Sequence, residues 1–304
     1  MSTSSHEPTP SLGWQAQLLS IPFRLLALLP LPVLRLLGGG IGSLLYALLK
    51  RRRRIGLVNL GLCFPEWDEA RRRAVLREHH QLLITCLLSY GKLWFSSREG
   101  VEKLVRREGY EHYLAAMAAH PDQPIIVLAP HFIGLDYGGV RHTINHRGVS
   151  MYSASHQNAL DALLLMGRSR FSDPLLIRRN DGIRGVIKAL RQGLMFYYLP
   201  DQDLGPRESI FVPFFGVQTA TVPALGKLAK LAGAVVVPMV TTLEKDGFVS
   251  RLYPAWESFP SGDDIADTTR MNAFIEARVR EYPAQYYWLH RRFKTRPEGE
   301  TGFY

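Results

Sequence analysis

From about residue 104 onward, short apolar runs alternate with amphipathic stretches. The run IIVLA at 125–129, ended by Pro130, predicts a buried strand. LMFYYLP at 194–200 and AVVVPMVTTL at 234–243 predict two more. Between and after them, residues 135–146, 158–171, 182–193, 221–233 and 267–283 carry a helical period. Strands that alternate with helices of this length predict an α/β fold, with a mostly parallel central sheet covered by helices. Upstream, residues 66–95 read as one or two helices with charge-rich faces, and Arg71 to Arg73 form a solvated or lipid-facing stripe.

The amino-terminal pattern is different. Leu25 to Leu49 contain a single charge, Arg35, over a length that could cross a bilayer. Pro30, Pro32 and the glycines 38–40 interrupt a simple helix, so a single span and an interfacial helix both fit. Arg51 to Arg54 follow at once, as a cytoplasmic flank that holds anionic lipid does. No Lys or Arg precedes the apolar run until Arg24, and no small-residue cleavage site follows it, which argues against a cleaved signal peptide. The expected division is a polar tail at 1–17, a membrane anchor at 18–54 and one catalytic domain at 55–304, facing the cytoplasm.

Charge sharpens this picture. The 304 residues carry 37 Lys and Arg against 27 Asp and Glu, a net charge of +10, which implies acidic company. None of the usual base-stacking or groove-reading modules is present, so nucleic acid is not an expected partner. The two cysteines, Cys63 and Cys86, suggest neither a disulfide framework nor a metal cage. His142 and His146 have i,i+4 spacing, but no third ligand is apparent, and neither a metal nor a cofactor is expected. Walker A, Rossmann and G-x-S-x-G signatures are all missing from the sequence.

The candidate chemistry lies just beyond the first strand, in HFIGLD at 131–136. In open α/β sheets reactive groups gather at the carboxyl edge of the strands, and His131 falls there. A turn at Gly134 and a helix entry at 135–136 could bring Asp136 back to one ring nitrogen of His131. The other nitrogen would then take a proton from a substrate hydroxyl.

Three segments together, HFIGLD, PDQDLGPRESIFVPFFGVQTATVP at 200–223 and QYYWLHRRFKTRPEG at 285–299, resemble the late acyltransferases of lipid A biosynthesis. That family lies within the wider H-x4-D/E group of lysophospholipid and glycerolipid acyltransferases. The resemblance implies an inner-membrane enzyme that moves a fatty acyl chain from acyl carrier protein to a hydroxyl of an acyl chain on a lipid A precursor. The product would be an acyloxyacyl group, formed without an acyl-enzyme. It also implies that His131 is the base and Asp136 its orienting partner. The alternative is a lysophospholipid or ornithine-lipid acyltransferase with the same dyad.

Other residues gain roles from this setting. Arg168 and Arg170 are candidates to clamp the thioester oxyanion or a lipid phosphate, with Arg168 preferred. Asp201 and Asp203 follow a strand at the same edge as His131 and could hold a substrate hydroxyl or order the arginines. Phe215, Gly216 and Thr221 belong to a block that the resemblance assigns to the acceptor lipid. Arg291, Arg292, Lys294 and Arg296 could dock the acidic carrier protein or the phosphorylated lipid.

Overall fold

The structure, a computed structural model, describes residues 13–153 and 158–304. Three helices come first: α1 (Trp14–Leu28), α2 (Leu31–Leu48) and α3 (Lys50–Cys63). The break at Leu29 and Pro30 separates α1 from α2, because proline cannot continue a helix from the preceding residue. The basic run 51–54 forms the first turns of α3, so the boundary expected at residue 54 falls inside a helix. Ile55, Leu60 and Cys63 of that helix are buried, and Leu60 and Cys63 join the main core.

Residues 66–95 form one long helix, α4 (Glu69–Phe95), opened by Asp68, whose side chain accepts from the Arg71 N–H at 2.7 Å. After α5 (Arg98–Leu104) come β1 (Val105–Glu108), α6 (Tyr110–Ala119), β2 (Ile125–Leu128), α7 (Leu135–Thr143), β3 (Gly148–Tyr152), α8 (Asn158–Ser169) and β4 (Leu175–Arg178). A short 3-10 turn leads into α9 (Arg184–Arg191), then β5 (Met195–Tyr198). A hairpin of β6 (Ile210–Phe214) and β7 (Val217–Thr221) follows, then α10 (Ala224–Ala232), β8 (Val235–Glu244), β9 (Gly247–Leu252) and α11 (Asp264–Glu281).

Seven strands form one sheet in the order β1-β9-β8-β2-β5-β3-β4. All neighbours are parallel except β8 and β9, which are joined by a tight reversal and run antiparallel. The sheet is buried between helices, as continuous apolar strands require. Ile126 and Leu128 of β2 join Val186 and Leu190 of α9, Leu228 of α10 and Ile275 of α11 on one face. Ile125 and Val127 join Tyr113 and Ala116 of α6 on the other. In α9 this leaves Val186, Ala189 and Leu190 buried while Arg184, Lys188 and Arg191 are exposed.

Helices α1 and α2 are docked on α4. Gly38 and Gly42 of α2 are buried against α4, and small residues four apart let two helix backbones approach closely. Arg35 is satisfied by the Glu244 carbonyl at 2.6 Å. The opposite side of α1 and α2 exposes Leu18, Ile21, Leu25, Leu36, Ile41 and Leu44. Among the described residues α2 is the one helix long and apolar enough to cross a membrane.

A Cβ at Gly38 would stand 2.1 Å from Thr85 Oγ1 and 2.8 Å from the Thr85 Cα, whereas one at Gly39 meets nothing within 4 Å. Gly38→Val should therefore destabilise the protein by about 1–3 kcal/mol through overpacking. Gly39→Ala should leave the thermal midpoint in detergent at or above its original value. Equal midpoints for both variants would show that α2 does not rest on α4.

Candidate active site

β2 and β5 are parallel neighbours, so the loops leaving their carboxyl ends lie side by side. The first carries His131 and the second Asp201. Asp201 accepts from His131 Nδ1 at 2.7 Å, and its two oxygens accept from the His131 backbone N–H at 3.1 and 3.0 Å. The Asp201 side chain has no exposed surface, whereas that of His131 is 19 % exposed. Burial works to raise the Asp201 pKa, but the His131 charge, its two kinds of hydrogen bond and Arg292 outweigh it, holding the carboxyl below its ordinary range. The carboxylate therefore fixes the proton on Nδ1 and leaves Nε2 as the basic atom at the rim.

The expected contact between His131 and Asp136 does not form. The backbone of 131–133 is paired instead with the segment after α11: Ile133 N–H donates to the Gln285 carbonyl and Tyr287 N–H to the His131 carbonyl, both at 2.9 Å. Phe132 and Tyr286 form a β-bridge. This pairing holds 131–133, a turn at Ile133 and Gly134 leads into α7, and Asp136 faces α4 and α8. There it receives Arg168 Nε at 2.9 Å, Arg168 Nη2 at 3.2 Å and the Tyr90 hydroxyl at 2.6 Å. Asp136 and then burial act in opposite directions on Arg168, and the carboxylate wins, raising the guanidinium's pKa. Tyr90 is pushed up by burial and further by Asp136, so its hydroxyl stays a donor. Arg168 Nη1 makes no hydrogen bond among the described residues.

Arg168 thus stands beside Asp136, but Arg170 does not. Arg170 donates to the carbonyls of Leu93 and Ser96, where it fastens α8 to the end of α4. Asp203 is buried and accepts from Thr295 N–H and Oγ1, both at 2.8 Å, and from Gly205 N–H at 2.9 Å. Its own N–H donates to His290 Nε2 at 3.1 Å. Burial, then Arg292, brings the His290 pKa down to about 4, so the ring is neutral near pH 7 and can accept that bond. Asp203 consequently ties the Asp201 loop to the carboxyl-terminal segment.

Phe215 and Gly216 form the tip of the β6–β7 hairpin, with φ of 52° and 74°. Both values are left-handed, as a two-residue hairpin turn demands. The Phe215 N–H donates to Glu276 and its ring packs against Phe64 and beneath Arg280. Thr221 is fully buried, and its hydroxyl accepts from Arg292 and donates to the Thr219 carbonyl. Of the basic tail, Arg292 is buried and spans Ala220 and Thr221, while Arg296 reaches the Gln218 carbonyl and Glu300. These two arginines brace the hairpin and are not a docking surface.

A cavity of about 70 Å³ opens beside Asp136 and Arg168. Val140, Val149, Met151, Leu176, Met195 and Leu199 line it, so its wall is chiefly aliphatic with one charged pair at the edge. A basic atom on His131, a fixed arginine and an apolar cavity suit transfer of a group that has a polar reacting end and a hydrocarbon tail.

Comparison with known proteins agrees with that chemistry. The profile of the family described as bacterial lipid A biosynthesis acyltransferase matches residues 9–295. The chain is similar to a lipid A biosynthesis lauroyltransferase of Escherichia coli (strain K12), 36 % identical over 279 residues, 91 % of this chain and 90 % of that protein. It is 34 % identical to the palmitoleoyltransferase of the same organism, over 91 % of this chain and 90 % of that protein. With the myristoyltransferase it shares 34 % over 83 % of this chain and 78 % of the relative. The cavity, the histidine and the arginine are therefore parts of an acyltransferase, and the chain belongs to the bacterial lipid A biosynthesis acyltransferase family.

Proposed function

We propose that this acyltransferase moves a fatty acyl chain from the thioester of acyl carrier protein to a hydroxyl on an acyl chain of a lipid A precursor. The observation that carries the reading is the buried His131–Asp201 pair, which leaves one basic nitrogen at the rim. His131 Nε2 takes the hydroxyl proton as the oxygen attacks the thioester carbon. Asp201 stabilises the imidazolium that results. Arg168, aimed by Asp136 and Tyr90, faces the oxyanion of the tetrahedral intermediate through Nη1. Collapse breaks the C–S bond, and the imidazolium returns its proton to the leaving thiolate. The ester product is an acyloxyacyl group, and the apolar cavity holds the donor's hydrocarbon tail.

The same reading places the enzyme at the inner membrane with its site on the cytoplasmic side. The exposed apolar face of α1 and α2 enters the bilayer, and the basic start of α3 lies among anionic headgroups. The hairpin tip at Phe215 and Gly216, joined to the core around Tyr286 through Phe214, receives the acceptor on this reading.

His131→Ala should lower turnover by roughly 10³-fold or more while leaving the thermal midpoint and membrane association unchanged. Wild-type turnover in that variant, measured with acyl carrier protein thioester and precursor lipid, would remove the base mechanism.

The two aspartates should separate. Asp201→Asn removes the charge behind the imidazolium and frees the wrong tautomer, a loss on the order of 10³–10⁴ in kcat with KM little changed. Asp136→Asn leaves Arg168 without its counter-charge, so kcat and the thermal midpoint should fall together. An Asp201→Asn enzyme with unchanged kcat would return the orienting role to Asp136.

A further inference from the structure

We propose that the exposed basic face of α9 docks the acidic carrier protein that delivers the acyl thioester. The proposal rests on the donor named above and goes further by giving the surface that receives it. Arg184, Lys188 and Arg191 stand at i, i+4 and i+7, which places them on one stripe of the helix, and all three are exposed. Arg178 and Arg179, at the end of β4, continue the stripe toward the sheet edge. Residues 178–191 contain these five basic side chains and one acid, Asp181, with Asp161 of α8 also near Arg178.

Some exposed arginines elsewhere, such as Arg73, Arg106 and Arg147, sit in ion pairs, while Arg51, Arg54, Arg71 and Arg77 are in none among the described residues. Among the described residues Arg179, Arg184, Lys188 and Arg191 are in none. Within the basic tail Arg292 and Arg296 are spent inside the fold, which leaves Arg291 and Lys294 as its outward charges. An uncompensated stripe costs self-repulsion and is relieved by a partner of opposite charge.

Position supplies the second argument. β4 is the last strand of the sheet, and the short turn after it starts α9 at the carboxyl edge, where His131, Asp201 and Arg168 also lie. Leu176 of β4 and Met151 of β3 line the apolar cavity. One register step beyond Met151, Tyr152 pairs with Arg178, and the Arg178 side chain reaches the Tyr152 hydroxyl at 3.4 Å. The basic stripe therefore begins at the rim of the cavity that takes the acyl tail. The stripe also lacks large exposed apolar residues on α9 itself, unlike α1 and α2, so charge alone recognises its partner. That favours a soluble acidic protein over a bilayer.

The test compares two donors on the full-length enzyme: acyl carrier protein thioester and the same acyl group on pantetheine. In Arg184→Ala/Lys188→Ala/Arg191→Ala, KM for the carrier-protein donor should rise about tenfold and lose most of its salt dependence. Its kcat/KM on acyl-pantetheine should equal that of the wild type, which also shows that the variant folds. Lys188→Glu alone should raise the same KM, and Arg98→Ala/Lys103→Ala, beside the opposite sheet edge, should not. An unchanged carrier-protein KM in the triple variant overturns the proposal. So does a loss of binding to anionic phospholipid vesicles with that KM intact, which would assign the stripe to the membrane. A wild-type enzyme that prefers acyl-pantetheine would instead remove the carrier protein as donor.

Discussion

A carboxylate with no exposed surface organises this enzyme. Asp201 stays charged inside the protein because His131 offers it a ring N–H and a backbone N–H, and Arg292 adds positive charge nearby. Each of those donors must be held in place by something else. The His131 backbone is fixed by its pairing with 285–287, and Arg292 is fixed by the carbonyl and hydroxyl of the β6–β7 hairpin. Asp203, two residues on, anchors the same loop to Thr295 and His290. The basic, aromatic carboxyl-terminal segment is thus the brace of the dyad.

Two aspartates near one histidine divide the work. Asp201 faces the imidazole and governs its tautomer, while Asp136 faces Arg168 and Tyr90 and governs where a positive charge points. On the proposed mechanism, proton transfer and oxyanion stabilisation have separate supports, on separate loops of the same sheet edge. Lengthening one support need not disturb the other.

The strands and helices beyond residue 104 were legible in the sequence, because runs such as 125–129 and stretches such as 182–193 carry clear periods. His131 at a strand end and Arg168 near it were legible too. The partner of His131 was not, because that depends on β2 lying beside β5, and strand order leaves no local mark. Asp201 could be placed at the correct edge, but five residues of separation made Asp136 look nearer than it is. The tail misled in a similar way: Arg292 and Arg296 have the composition of a solvated face, and only the distant hairpin carbonyls reveal them as internal. The clean amphipathic split of α9, by contrast, is written in its own eight residues.

The brace has a consequence for how the enzyme is made. The ribosome produces the apolar face of α1 and α2 first and the segment 285–295 more than 150 residues after His131 has emerged. Until that segment arrives, the His131 loop lacks its strand partner and Asp203 lacks its ligands. If the apolar face seats in the bilayer as proposed, a nascent chain reaches the membrane before its dyad exists, and the dyad comes together only in a molecule already beside its lipid.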